Sequence, residues 1–222
     1  MRIQSATIHI GNIIRNAVVF NPKNWQGDTV NADTLPQTVA QLFSLLHQRR
    51  IDYLLVGGVA LLQYVEGRNT EDIDLIVAAP ALSQLPEVQI LNQTMYFARG
   101  QFQDLHIDFL LTANPLFKKV QQEYATTQHF IESDIQCATV EGLLLLKLYA
   151  LPSLYREGEF ARVGLCENDI AMLLHYYKPD LSVLLDELKP YLSDTDLTEL
   201  RNIGEEIQQR LARFRPSQKD DQ

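Results

Sequence analysis

"YLLVGGVALLQYVEGRNTEDIDLIV", residues 53–77, joins two oily runs through a pair of adjacent glycines and ends on two alternating aspartates. The run from Tyr53 to Val56 is short and apolar and breaks at Gly57 and Gly58, the pattern of a buried strand entering a tight turn. "VALLQYVEG" resumes helical spacing until Gly67 stops it, and "DIDLIV" reads as a second strand. Strand, turn, helix, strand predicts a mixed sheet. Side chains alternate along a strand, so Asp72 and Asp74 share one face while Ile73, Leu75 and Val77 pack on the other.

Two carboxylates that close raise each other's proton affinity unless a cation sits between them. Mg²⁺ suits the position, because it takes a few carboxylate oxygens together with substrate phosphates. "DLHIDFLL" supplies a third acid, Asp108, in a run where Leu105, Ile107 and Phe109 alternate to the core. An antiparallel neighbour strand would bring it beside the pair. Three such carboxylates can hold two Mg²⁺ ions about 3.5–4 Å apart, one lowering the pKa of an attacking hydroxyl and one steadying a leaving phosphate. The glycine pair allows a ligand close to the backbone, and the amides that follow favour an anion such as a triphosphate. Arg68 and Thr70 add a candidate phosphate contact and a hydroxyl.

Outward from this stretch, residues 1–33 read as an N-terminal extension with a short hairpin, since "QSATIHI" alternates and "NPKNWQGDTVNADTLP" is rich in turn formers. "TLPQTVAQLFSLLHQRR" spaces Leu35, Val39, Leu42, Leu45 and Leu46 as a helix with basic residues in its last turn. "QTMYFARGQFQDLHIDFLLT" reads as a hairpin turning near Gly100, and "PLFKKVQQEY" as a helix opened by Pro115. After the extended "FIESDIQCA" the chain turns helical, punctuated by Pro152, Pro179 and Pro190. The expected organisation is an α/β (α+β) protein: a small mixed-sheet core over 34–130, a helical domain over 131–215 and a disordered tail over 216–222.

At 222 residues and 46% hydrophobic, the chain can bury one substantial core with a smaller appended one. Its formal charge of −9 excludes a broad positive surface for duplex nucleic acid and confines such contacts to a local patch. Cys137 and Cys166 lack zinc-ligand spacing. "MRIQSATIHIGNIIRNAVVF" is interrupted by Arg2, Arg15 and Asn16, and no run approaches the roughly 18 apolar residues of a membrane span, so a cytoplasmic protein is expected.

Glycine pair, Asp-x-Asp and a later strand acid together resemble the nucleotidyltransferases of the DNA polymerase β superfamily. "GGVALLQYVEGRNTEDIDL" is more closely similar to the AbiEii/MenT-type toxin nucleotidyltransferases, with their Gly-Gly-x-Ala-Leu stretch and Arg-x-Ser/Thr-x-Asp-x-Asp. "ATVEGLLLLKLYAL" and "ENDIAMLL" resemble downstream segments of those proteins through Lys147 and Asp169, whereas "RVGLCENDI" lacks the Lys-Asp pair often found before the latter. The resemblance spans roughly residues 36–175. It implies a nucleotidyltransferase core that moves a nucleoside monophosphate from an NTP to an acceptor hydroxyl on tRNA, a protein or a small molecule. Asp72, Asp74 and Asp108 would be the catalytic and metal-binding acids, and Gly57, Gly58, Arg68, Thr70, Lys147 and Asp169 the nucleotide side. It also implies the toxin of a toxin–antitoxin pair, with an antitoxin protein as partner. The alternative is a catalytically inactive nucleotidyltransferase-fold protein that binds a nucleotide or partner.

Overall fold

The computed structural model describes residues 7–25 and 31–213. The expected tail at 216–222 and the first half of "QSATIHI" lie outside them. Two compact units divide the chain, residues 1–143 and 144–222.

The first unit is built on a seven-stranded mixed sheet. Its strands are β1 (Tyr53–Val56), β2 (Ile73–Val77), β3 (Gln89–Gln93), β4 (Phe97–Phe102), β5 (Leu105–Leu111), β6 (Ala125–His129) and β7 (Asp134–Ala138). They lie in the order β3-β4-β5-β2-β1-β7-β6. β1 runs antiparallel to β2, β2 parallel to β5, and β5 antiparallel to β4. The three central strands are the apolar runs of the sequence, and Leu54, Leu55, Ile73, Leu75, Ile107 and Phe109 are all buried. Removing each such side chain from water contributes about 1.5–3 kcal/mol.

Helices α1 (Ile10–Phe20), α2 (Leu35–Gln48), α3 (Gly57–Leu61), α4 (Ala79–Leu82) and α5 (Pro115–Glu123) complete this unit. α2 forms where its apolar stripe and Pro36 predict, although Thr38 and Phe43 join the buried face while Leu45 stays half-buried. α5 opens at Pro115 with Asn114 as its cap, whose side chain accepts from the Leu116 amide at 2.9 Å. α1 replaces the hairpin expected near the N-terminus, because Ile10, Ile14, Ala17 and Val18 form a buried helical stripe. It packs on α2 closely enough that a Cβ on Gly11 would stand 2.4 Å from the Pro36 Cα.

Four other expectations are corrected. The helix after the glycine pair ends at Leu61 and continues as turns, well before Gly67. The hairpin turns at Gln103, which has φ 54°, and not near Gly100. Gly100 sits inside β4, where a Cβ would meet Val88 Cγ1 at 2.8 Å and Phe109 Cε2 at 3.1 Å, so close packing is its reason. The sheet also runs past residue 130, because β7 pairs with β1 and β6 with β7. Pro152 lies inside a helix.

That helix is α6 (Val140–Arg156), within which the division between the units falls; α7 (Phe160–Tyr177), α8 (Leu181–Leu188) and α9 (Asp194–Arg213) follow. The second unit is thus helical, and α9 contacts both α7 and α8. A Cβ on Gly204 would stand 2.4 Å from Leu181 Cδ2, so the last two helices meet nearly backbone to side chain. No helix among the described residues is long and apolar enough to cross a membrane.

Candidate active site

β2 and β5 place two of the three acids. Their parallel register sets Asp74 opposite Asp108, and cross-strand neighbours stand about 4.8 Å apart along the hydrogen-bonding direction. Both side chains alternate away from buried Ile73, Leu75, Ile107 and Phe109. The neighbour that delivers Asp108 is parallel, not antiparallel as expected, because β5 meets its antiparallel partner β4 on the far side. Asp72 lies in the bend just before β2, two residues from Asp74 and within reach of the charge of Asp108.

The charges of these groups reach one another. Burial pushes the Asp72 carboxyl above its ordinary range, and the charge of Asp108 raises it further, while His106 and Arg99 act in the opposite sense and Glu71 adds to the rise. Asp108 carries a partner that sequence reasoning missed. Arg99, its register partner on β4, forks onto it, with Nε to Oδ1 and Nη2 to Oδ2 both at 2.7 Å. The hydrogen bonds to Asp108 raise the Arg99 guanidinium pKa, followed by the charges of Asp108, Asp72 and Asp74. A row Asp74, Asp108, Arg99 therefore crosses β2, β5 and β4, with exposed His106 two residues along β5.

The glycine pair borders this row. Gly57 opens α3 at φ +65°, and a Cβ there would stand 1.9 Å from Asp74 Oδ2. Only glycine leaves that carboxylate its place, and only glycine adopts that backbone without strain. Gly58 is buried against Thr70, whose Cβ and Oγ1 lie 2.8 Å from where its own Cβ would stand. The Thr70 hydroxyl donates to the Asp72 carbonyl at 3.3 Å, so these two residues fix the bend that carries Asp72. Arg68 is half-buried just upstream.

A second missed group holds that bend from outside. Asn21 and Asn24, after α1, donate to the two oxygens of Glu71 at 2.6 and 3.2 Å. Neither asparagine has a motif around it, and the contact spans 50 and 47 residues of chain. Lys147 and Asp169 lie in the helical unit, where they pair with each other, Nζ to Oδ2 at 2.7 Å, with side chains 15% and 2% exposed. Cys137 and Cys166 are buried and in no disulfide, and burial pushes the Cys137 thiol up to about 12.

Among the described residues, no three His, Cys, Asp or Glu side chains are gathered tightly enough to cage a metal ion. The donor set nevertheless fits Mg²⁺ at the Asp72–Asp74 end. Two carboxylates on one face, one of them reluctant to ionise because of burial and a neighbouring charge, suit an ion that completes its shell with water and phosphate oxygens. The space left by the absent Gly57 Cβ keeps Asp74 Oδ2 in place for it. At the other end the Arg99 fork already satisfies Asp108.

No protein-family model matches the chain, and no curated protein matches it. Among solved structures it is similar to an antigenic nucleotidyltransferase-like protein from Paracoccidioides brasiliensis, at 18% identity over 74% of this chain and 90% of that one, with a TM-score of 0.49. It is also similar to the antibiotic-resistance factor ANT(2'')-Ia. The solution structure aligns at 12% identity over 80% of this chain and 94% of that one (TM-score 0.48), and the complex with adenylyl-2''-tobramycin at 10% identity over 78% and 98% (TM-score 0.48).

Proposed function

We propose that the protein is a Mg²⁺-dependent nucleotidyltransferase that moves a nucleoside monophosphate from an NTP to an acceptor hydroxyl. The observation that carries this reading is the Asp74–Asp108 register across β2 and β5, with Asp72 two residues before and Gly57 shaped around Asp74. Mg²⁺ bound there would neutralise the triphosphate and polarise the phosphorus to be attacked. Asp72 and Asp74 would hold it. Asp108, across the strand, would accept the proton of the acceptor hydroxyl once the Arg99 fork opens, and two ions with NTP bound would need all three acids. The bend fixed by Thr70 and Glu71 keeps Asp72 in register with Asp74. The oxygen of the acceptor forms a bond to the α-phosphorus as the bond to pyrophosphate breaks, and the hydroxyl proton passes to base.

The charge of −9 favours an acceptor that presents a single hydroxyl, such as a tRNA 3′ end, a protein side chain or a small molecule, over extended duplex contact. A toxin role beside an antitoxin rests on the resemblance carried by residues 57–75 and the segments around Lys147 and Asp169. The test is incubation with each labelled NTP, Mg²⁺ and total tRNA or lysate. Label should pass to an acceptor in the native protein and not in Asp74→Ala. NTP binding without transfer would favour an inactive binding protein, and absence of NTP binding would dismiss the reading.

A further inference from the structure

Arg99 holds the carboxylate that a second divalent ion would need. Its guanidinium spans both oxygens of Asp108, and Asp108 is the strand neighbour of Asp74. An arginine fork matches a carboxylate in two parallel bonds and so satisfies the lone pairs that a metal would use. The pair is nonetheless open to solvent, with Arg99 56% and Asp108 31% exposed, so it can part at modest cost. Among the described residues no three acids are gathered as a cage.

We propose that Arg99 is a resident cation competing with the second divalent ion for Asp108, so that the protein alone takes one ion at Asp72 and Asp74 and admits another only when an NTP draws the guanidinium away. This rests on the nucleotidyltransferase reading and adds to it an order of loading. The triphosphate is the natural agent of release, because its oxygens offer the same fork a partner of higher charge than a single carboxylate. Arg99 then serves as a positioning residue in the empty protein and a phosphate contact in the loaded one. Nucleotide and second ion consequently bind cooperatively, each favouring the state in which the fork has opened.

The experiment counts Mn²⁺ by electron paramagnetic resonance in the full chain, with and without a non-hydrolysable NTP, for the native protein, Arg99→Gln, Arg99→Lys and Asp74→Ala. The native protein should bind one ion alone and two with nucleotide. Arg99→Gln should bind two without nucleotide, the second about tenfold tighter than in the native protein, and Arg99→Lys, which keeps the charge but loses the fork, should fall between them. Circular dichroism confirms that each variant is folded, and if Arg99→Gln is not, the Arg99→Lys titration decides alone. Two ions in the native protein without nucleotide would overturn the inference, as would an unchanged count and affinity in both Arg99 variants. Those results leave the nucleotidyltransferase reading standing, provided that Asp74→Ala abolishes the first ion. Absence of any Mn²⁺ binding overturns both.

Discussion

Asp72 carries an energetic cost that its neighbours only partly relieve. Burial and the charge of Asp108 raise its proton affinity, so between the ordinary carboxyl range and the raised one the folded protein binds more protons than the unfolded chain. Stability therefore falls as pH rises through that window. Asp72→Asn should melt higher than the native protein at about pH 7 in the presence of a chelator and equally at about pH 3, where the acid is protonated in both states. The gain should stay below about 1 kcal/mol, because the group is partly exposed and screened. Gly57 poses the opposite case. Gly57→Ala must accept φ +65° and push Asp74 Oδ2 aside, which costs about 1–2 kcal/mol for the backbone alone. A folded Gly57→Ala protein should therefore lose Mn²⁺ binding, and retained binding would show that Asp74 has room to spare.

At the scale of elements, the site was legible where apolar alternation is strong and hidden where the register depends on a turn. "DIDLIV" and "HIDFLL" announce their strands through period 2, so the faces of Asp72, Asp74 and Asp108 could be read directly. Arg99 could not. A turn near Gly100 puts it in a loop, whereas the turn at Gln103 pairs it with Asp108 and leaves Gly100 inside β4, crowded by Val88 and Phe109. The parallel pairing of β2 and β5 was likewise invisible, since β3 and β4 intervene. α1 was missed for a related reason: beside its local His9 cap, its first two amides are held by residue 132. The Glu132 side chain, 2% exposed, accepts from the Ile10 and Gly11 amides at 3.2 and 2.9 Å and contacts His9 Nδ1 at 2.9 Å. Glu132→Ala should lower stability by about 2 kcal/mol, as loss of charged hydrogen bonds to buried amides does. It should leave the Mn²⁺ count unchanged, and a change in that count would tie α1 to the acid site more directly than the Glu71 contacts do.

At the scale of the whole molecule, each unit holds a carboxylate paired with a basic side chain, and the two pairs differ in burial. In the sheet unit Asp108 has its cation in the exposed Arg99, while Asp169 in the helical unit has one in Lys147. Their bond at 2.7 Å explains how an ammonium survives in "LLLLKLYAL", where apolar neighbours surround it. It also changes what Lys147→Ala should do. The substitution takes the ammonium away from a carboxylate with 2% exposure, and removing one member of a buried pair costs roughly 3–5 kcal/mol, whereas replacing both members by Met and Leu should be near neutral because the pair's desolvation is relieved with its attraction. Hydrogen exchange followed by mass spectrometry locates the effect. Lys147→Ala should speed exchange in α7, α8 and α9 while peptides from β2 and β5 keep their protection, and Mn²⁺ should still bind. Normal stability with weakened NTP binding would instead assign Lys147 to the nucleotide, as the sequence resemblance implies.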